Sequence, residues 1–243
     1  MNKSDLLLGF YGFARGYNFE QCIDVKNSNV FIYCPDIKYE NDYNDKVSVD
    51  ELKKRFGENA NINIYPNYEQ KEQEYKNTVK NMIEYERLLL DPTVMKPYRL
   101  LSLMHNISNC AKIIEPYSKC DSDIIVLCRI DVRVVELNMN KIKSILVSKN
   151  IIVSEIPANG RVKDYFFIFY RKYLVVFIKM YENILEYLKF YFKGELVSPF
   201  KGIQPEWILS HYFRENKLTY ECSSDCFKAC NPPMYHKKFT FKH

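Results

Sequence analysis

The stretch from Ser122 to Glu136, S-D-I-I-V-L-C-R-I-D-V-R-V-V-E, constrains the fold of this chain more than any other. Ile124, Ile125, Val126, Leu127 and Cys128 form an unbroken apolar run that then meets Arg129, Asp131 and Arg133. A run so short, bounded by charge, reads as a strand buried on both faces. Strands of that kind belong to mostly parallel sheets, and open α/β sheets bind ligands beyond the carboxyl ends of their strands. Asp131 is therefore placed where chemistry is expected. A structural role stands beside that one, in which the carboxylate only pairs with Arg129 or Arg133.

The rest of the chain alternates strand and helix patterns around this stretch. Residues 5–13 read as a first strand, followed by a loop with Gly12, Arg15 and Gly16, and 29–34 read as a second strand stopped by Pro35 and the polar run 36–45. Helical spacing of Val47, Leu52 and Phe56 ends at Gly57, a residue suited to a helix stop. A short strand is expected over 61–65 and an amphipathic helix over 68–90. Pro97 opens a helix to about Tyr117, whose Leu100, Leu101, Leu103, Met104, Ile107, Ala111 and Ile114 face a core. After the 122–136 strand come a helix (141–147), strands at 151–154 and 165–170, a long amphipathic helix to about Phe192, a helix from Pro205 and a last strand near 218–222. The alternation predicts an α/β fold with a Rossmann-like, mostly parallel central sheet flanked by helices. Without an internal repeat or evident linker, one domain over 1–230 with a basic tail over 231–243 is expected.

Composition narrows the function classes. The chain of 243 residues is 47% apolar, enough for a sizeable core, and its 27% of charged residues gives no sign of disorder. The net charge of +5 is spread along the chain, which suits an enzyme binding a diphosphate and offers no concentrated basic stripe for nucleic acid. With only 7 glycines, neither G-x-G-x-x-G nor G-x-x-x-x-G-K-[ST] occurs, which argues against P-loop hydrolysis and standard dinucleotide binding. The opening M-N-K-S-D-L-L-L-G-F is too short an apolar run for a signal peptide, so the 8 cysteines are expected as reduced thiols in a cytoplasmic protein. Charges at Arg171, Lys172, Lys179, Glu182, Glu186 and Lys189 exclude a membrane span over 165–192, although that helix could touch a membrane surface. Cys222, Cys226 and Cys230, with His211 and His236 nearby, could form a zinc site but lack the C-x2-C spacing of zinc knuckles and read rather as thiols, while Cys22, Cys34, Cys110 and Cys128 fall inside expected elements and read as core.

Two acidic patterns compete around the central strand. Asp121 and Asp123 spell D-x-D, but they precede the strand and belong to its amino end. Asp131 lies at the carboxyl end, where one carboxylate can hold Mg2+ or Mn2+ while a substrate's phosphates complete the shell.

The motifs Gly12-Phe13-Ala14-Arg15, Asn29-Val30-Phe31-Ile32, Arg129-Ile130-Asp131, the 159–167 loop with Asp164 before an aromatic strand, and Pro205-Glu206-Trp207-Ile208-Leu209 follow one another in an order that resembles a group of GT-A-type glycosyltransferases with an Arg-x-Asp motif, from polysaccharide clusters and large DNA viruses. The resemblance implies transfer of a sugar from a nucleoside-diphosphate sugar to a glycan or other hydroxyl acceptor. It implies that Gly9, Tyr11 and Arg15 line the nucleotide pocket, that Asp131 coordinates a divalent metal (Mn2+ or Mg2+) or the donor's diphosphate, and that Asp164 and Glu206 face the acceptor, one of them as general base. Arg129 stands where many GT-A enzymes carry the first Asp of D-x-D, so it either pairs with Asp131 or itself supplies positive charge to the donor. Arg15 as a solvated loop residue, Asp164 as a turn cap and Glu206 as a first-turn acid are the structural alternatives. A non-catalytic nucleotide- or glycan-binding protein of the same fold is the rival function, ahead of a nucleic-acid-binding module.

Overall fold

The computed structural model describes residues 6–15, 20–39, 42–80, 96–154, 162, 164–192, 205–222 and 227–230. Its strands are β1 (Leu6–Tyr11), β2 (Asn29–Pro35), β3 (Ile37–Tyr39), β4 (Asp42–Lys46), β5 (Asn61–Tyr65), β6 (Ile124–Arg129), β7 (Arg133–Leu137), β8 (Ile151–Val153), β9 (Phe166–Tyr170), β10 (Tyr220–Cys222) and β11 (Phe227–Cys230). Its helices are α1 (Ile23–Lys26), α2 (Val49–Phe56), α3 (Tyr68–Lys80), α4 (Pro97–Ile114), α5 (Met139–Leu146), α6 (Leu174–Ile178), α7 (Met180–Phe192) and α8 (Pro205–Glu215).

Seven strands form one sheet in the order β10-β8-β9-β6-β1-β2-β5, and β9 alone runs antiparallel to both its neighbours. The α/β architecture expected from the sequence, a mostly parallel central sheet flanked by helices, is the one observed. The chain leaves β1 for β2 and β5 on one side and returns as β6 on the other. The crevice beyond the carboxyl ends of β1 and β6 is therefore the point where strand order reverses, and there the flanking loops part to admit a ligand.

Alternation along the strands feeds two cores. Leu7, Tyr11, Phe31, Ile125 and Leu127 join residues of α3, α4, α6, α7 and α8. Leu8, Phe10, Val30, Ile32, Ile124, Val126 and Cys128 face the other way, onto Leu52 and Phe56 of α2 and Ile142 and Leu146 of α5. The apolar run of β6 is thus buried on both faces because helices cover both. Local signals set the boundaries: the Ser48 side chain accepts from the Glu51 N–H at the start of α2, and Gly57, at φ +106°, ends it. Pro97 occupies the first turn of α4, where its missing N–H costs nothing.

Four expectations need correction. The 122–136 stretch is two strands: after β6 the chain turns at 130–132, and β7 pairs antiparallel with β11 in a separate sheet. The Val132 N–H bonds back to the Arg129 carbonyl and the Ile130 N–H to the Tyr11 carbonyl, so the turn is tied to the β1 end. The 36–45 run holds the β3–β4 hairpin, which alternating polar sequence concealed. The long helix to Phe192 begins with a 3-10 turn, Arg171–Tyr173, and is divided at Lys179 between α6 and α7. Cys22 lies outside the regular elements and is half-buried, whereas Cys34, Cys110 and Cys128 are core. The 231–243 tail, Cys226 and the side chains of Cys222 and Cys230 lie outside the described residues, as does the expected helix beyond Lys80.

Candidate active site

Parallel pairing places Tyr11 of β1 directly opposite Arg129 of β6, at the carboxyl ends of both strands. The chain beyond Tyr11 turns at Gly12, whose φ of +95° is open to glycine at little cost and costly for other residues. This turn delivers Phe13, buried Ala14 and Arg15 over the crevice. The chain beyond Arg129 turns at Asp131, and β9, running the opposite way, begins here with Asp164 and Tyr165 just before it. Four charged side chains meet as a result: Arg15, Arg129, Asp131 and Asp164.

Their contacts form one connected network. Arg129 grips Asp131 with two nitrogens, Nε to Oδ1 at 3.0 Å and Nη2 to Oδ2 at 2.6 Å. Arg15 Nη1 donates to the same Oδ2 at 3.1 Å, and Arg129 Nη1 lies 3.6 Å from Asp164 Oδ2. The Arg129 guanidinium also rests 5.1 Å from the centre of the Tyr165 ring, while the Arg129 main-chain N–H donates to the Tyr165 carbonyl. Beneath the network, buried Arg55 of α2 donates to the Ile130 carbonyl at 2.8 Å and to the Arg15 carbonyl at 3.5 Å, so one side chain braces both loops.

Electrostatics follow from this burial. Desolvation lowers the Arg129 pKa, but Asp131 and Asp164 outweigh it and the net direction is upward, so the group stays charged. Burial raises the Asp164 carboxyl above its ordinary range; Arg129 works against the rise and Glu206 adds to it. Tyr11 is pushed well above the usual phenol value, first by burial and then by the neighbouring Asp164 charge, so it remains a neutral donor. Its hydroxyl donates to the Asp164 main-chain carbonyl at 2.7 Å.

Of the residues singled out from the sequence, Tyr11, Arg15, Arg129, Asp131 and Asp164 line one crevice. Glu206 sits in the first turn of α8, close enough to Asp164 to act on its ionisation. The Ser210 hydroxyl donates to the Glu206 carbonyl and accepts from the Val162 N–H, which fastens the α8 start to the segment leading to Asp164. Gly9 is placed differently. It lies mid-strand, and a Cβ there would come within 2.6 Å of Ile114 Cδ1, 2.7 Å of Leu127 Cδ2 and 2.8 Å of Cys110 Sγ. Its part is the close approach of α4 to the sheet, and it is not among the residues lining the crevice. Asp121 and Asp123 lie at the amino end of β6. Asp121 pairs with Arg171, and buried Asp123 accepts the N–H groups of Lys119 and Cys120 as a turn cap.

Sequence reasoning missed the helical wall of the crevice. Arg99, Ser102, Leu103 and Asn106 of α4 line it opposite the arginines and carboxylates. Asn106 is 1% exposed; its Nδ2 donates to the Ser102 carbonyl at 2.7 Å, which fixes Oδ1 as an acceptor. Among the described residues, Oδ1 and the Tyr65 hydroxyl are both buried and lack a hydrogen bond of good geometry, although the two side chains lie close enough to interact with each other. Ser102 and Asn106, polar residues four apart on an otherwise apolar helical stripe, were the available signal.

The described residues of the crevice do not fit a divalent metal centre. Mg2+ and Mn2+ need several oxygen ligands, but both Asp131 oxygens already accept guanidinium N–H groups, and Asp164 faces Arg129. Among the described residues, no group of three or more His, Cys, Asp or Glu is arranged to hold a metal ion. No described helix is long and apolar enough to cross a membrane.

No protein-family model matches the chain, and no curated protein sequence matches it. Among solved structures it is similar to apo mouse xyloside xylosyltransferase 1, with a TM-score of 0.40 and 8% identity over 90% of this chain and 84% of that one. It is also similar to a Bacillus anthracis protein described as a glucose-1-phosphate thymidylyltransferase, solved in complex with sucrose, with a TM-score of 0.36 and 10% identity over 94% of this chain and 89% of that one. Roles for the residues of the crevice come from their own geometry.

Proposed function

We propose that the protein is a GT-A-type glycosyltransferase that moves a sugar from a nucleoside-diphosphate sugar to a glycan or other hydroxyl acceptor. The site occupies the β1/β6 crevice of a single domain over 1–230. The observation that carries this reading is the meeting, at the reversal of strand order, of two guanidinium groups with a buried carboxylate of raised pKa. Sugar transfer needs both parts. The departing nucleoside diphosphate gathers negative charge, which charge-assisted hydrogen bonds from arginine stabilise. The acceptor hydroxyl must lose a proton as its oxygen attacks, and a carboxylate of raised pKa is a stronger base for that proton than an ordinary one.

In a direct displacement, the acceptor oxygen bonds to the anomeric carbon as the bond from that carbon to the diphosphate oxygen breaks. The acceptor proton passes to the Asp164 carboxylate, and the nucleoside diphosphate leaves against Arg15 and Arg129. Glu206 holds the Asp164 pKa up and stands on the acceptor side. Burial and the Tyr11 hydrogen bond keep Asp164 in place.

A panel of UDP-, GDP- and CMP-sugars, scored by thermal shift and by release of free nucleotide, tests the reading. At least one donor is expected to raise Tm and to release its nucleotide, faster when a hydroxyl acceptor is present. A thermal shift without release, with acceptors present, assigns the protein to nucleotide or glycan binding without catalysis. No shift and no release with any donor overturns both.

A further inference from the structure

The side chains around Asp131 point to donor binding without a divalent cation: we propose that Arg15 and Arg129 hold the diphosphate directly, and that Asp131 is the residue that positions them. This inference rests on the donor reading above and reaches beyond it to the chemistry that holds the phosphates.

A carboxylate offers about four lone-pair sites, and Asp131 has committed three of them to guanidinium N–H groups, two from Arg129 and one from Arg15. The Asp131 side chain is 9% exposed, so a hydrated cation has little room to reach it. A divalent ion bound there would have to displace both arginines and then sit beside their charges. Asp164, the other carboxylate lining the crevice, is already opposed by Arg129 Nη1 at 3.6 Å. The arrangement is complete as an arginine site and incomplete as a metal site.

The same contacts suit a diphosphate. Two guanidinium groups brought close together repel each other unless an anion lies between them, and Asp131 is that anion while the donor is absent. Arg15 is 36% exposed, which leaves part of its guanidinium facing the crevice. The main chain beneath both arginines is braced by Arg55 through the Arg15 and Ile130 carbonyls, so the pair is held in place before a ligand arrives. Planar guanidinium groups match phosphate oxygens in bidentate fashion, and a preorganised pair avoids the cost of ordering them on binding.

Calorimetric titration of the full chain with UDP, GDP, ADP and CDP, in EDTA and again in Mn2+ or Mg2+, tests the proposal. At least one nucleotide is expected to bind with Kd values within about threefold of each other in the two conditions. Mn2+ added alone is expected to give the unchanged spin-resonance signal of the free ion. A nucleotide that binds only with Mn2+ or Mg2+ overturns metal-free binding and leaves the donor reading standing. Absence of binding in every condition overturns both. Arg129→Met and the more exposed Arg15→Met are each expected to weaken binding in EDTA by at least about tenfold. Asp131→Asn loses the carboxylate that bridges the two guanidinium groups but keeps one acceptor oxygen, so it is expected to weaken nucleotide binding in EDTA, by less than Arg15→Met does. A folded Asp131→Asn protein that binds nucleotide in EDTA as tightly as wild type overturns the positioning role.

Discussion

The Tyr11 hydroxyl donates a 2.7 Å hydrogen bond to the main-chain carbonyl of Asp164, joining the end of β1 to the start of β9 across 153 residues of chain. Both ends of this bond line the crevice, so it holds the proposed base against the floor of the donor pocket. Tyr11→Phe removes the bond and leaves a part-buried carbonyl without its partner. A stability loss of about 1–3 kcal/mol is expected by urea unfolding. The fall in kcat is expected to exceed the change in nucleotide affinity, because the proposed role of Asp164 is to take the acceptor proton and not to bind the phosphates. Equal kcat for Tyr11→Phe and wild type, with the bond's stability cost measured, would remove Tyr11 from the positioning of the base.

Asp164 carries a pKa raised first by burial and further by Glu206, against the pull of Arg129. As a base it works only when deprotonated. Activity is therefore full above its raised pKa and is lost as pH falls through it. The acid limb of the kcat profile is expected above pH ~3.9, the value of an unperturbed aspartate. Glu206→Gln removes one of the groups that raise this pKa, so it is expected to move the limb to lower pH. Asp164→Asn is expected to abolish transfer. An acid limb that stays put in Glu206→Gln assigns it to another group.

Gly9 and Gly12 stand three residues apart with different constraints. At Gly9 the obstacle is contact with Ile114, Leu127 and Cys110; at Gly12, φ is +95° and nothing lies within 4 Å of a Cβ. Gly9→Ala overpacks the α4–sheet interface and is expected to cost about 1–3 kcal/mol with nucleotide affinity retained in the folded protein. Gly12→Ala is expected to cost about 1 kcal/mol of backbone strain and, because the turn aims Arg15, to weaken nucleotide binding as well. Chemical denaturation alongside nucleotide titration of the two variants checks the contrast.

These contrasts show which parts of the molecule its sequence could disclose. Elements whose apolar residues repeat regularly were legible: β6 by its unbroken run, α4 by its stripe, α2 by the spacing of Leu52 and Phe56 and the stop at Gly57. The place of Asp131 at a strand end was legible as well, because an apolar run followed by charge marks where a buried strand emerges. What escaped depends on partners distant in the chain. The β3–β4 hairpin carries polar residues on both faces and offers no hydrophobic period. The break after Arg129 is set by hydrogen bonds to Tyr11 and Tyr165, which no local pattern announces. The resemblance implies Gly9 in the pocket, whereas the nearest neighbours of a Cβ there come from α4 and β6.

His105, on α4, packs against the rings of Tyr33, Tyr65, Tyr75 and Tyr181. Burial pushes its pKa down to about 4, with Lys71 and Lys112 acting in the same direction and Glu74 against. Between about pH 6.5, where the unfolded histidine titrates, and about pH 4, the unfolded chain binds a proton that the folded chain refuses. This contribution is therefore fully present above pH ~6.5 and is lost as pH falls, by roughly 3 kcal/mol at most over the window. His105→Gln is expected to flatten the slope of stability against pH in that range, measured by urea unfolding at several pH values. An unchanged slope would place the acid sensitivity elsewhere.

Asn106 lines the crevice with its Nδ2 fixed on the Ser102 carbonyl, and its Oδ1 is buried beside the Tyr65 hydroxyl without a hydrogen bond of good geometry. A buried polar atom without a partner costs stability in the free protein, and a ligand N–H or O–H that reaches it recovers that loss on binding. The nearly isosteric Asn106→Leu separates these effects. Stability is expected to stay within about 1 kcal/mol of wild type or to rise, because the unsatisfied carbonyl is gone. Donor affinity is expected to fall by about 1–2 kcal/mol, or about five- to thirtyfold, for a donor that hydrogen-bonds Oδ1. Thermal melts paired with calorimetric titration of the best donor read both quantities from the same preparations. A destabilised variant that binds the donor normally would assign Asn106 to the packing of α4 and would leave recognition of the donor to the arginines and the β1 turn.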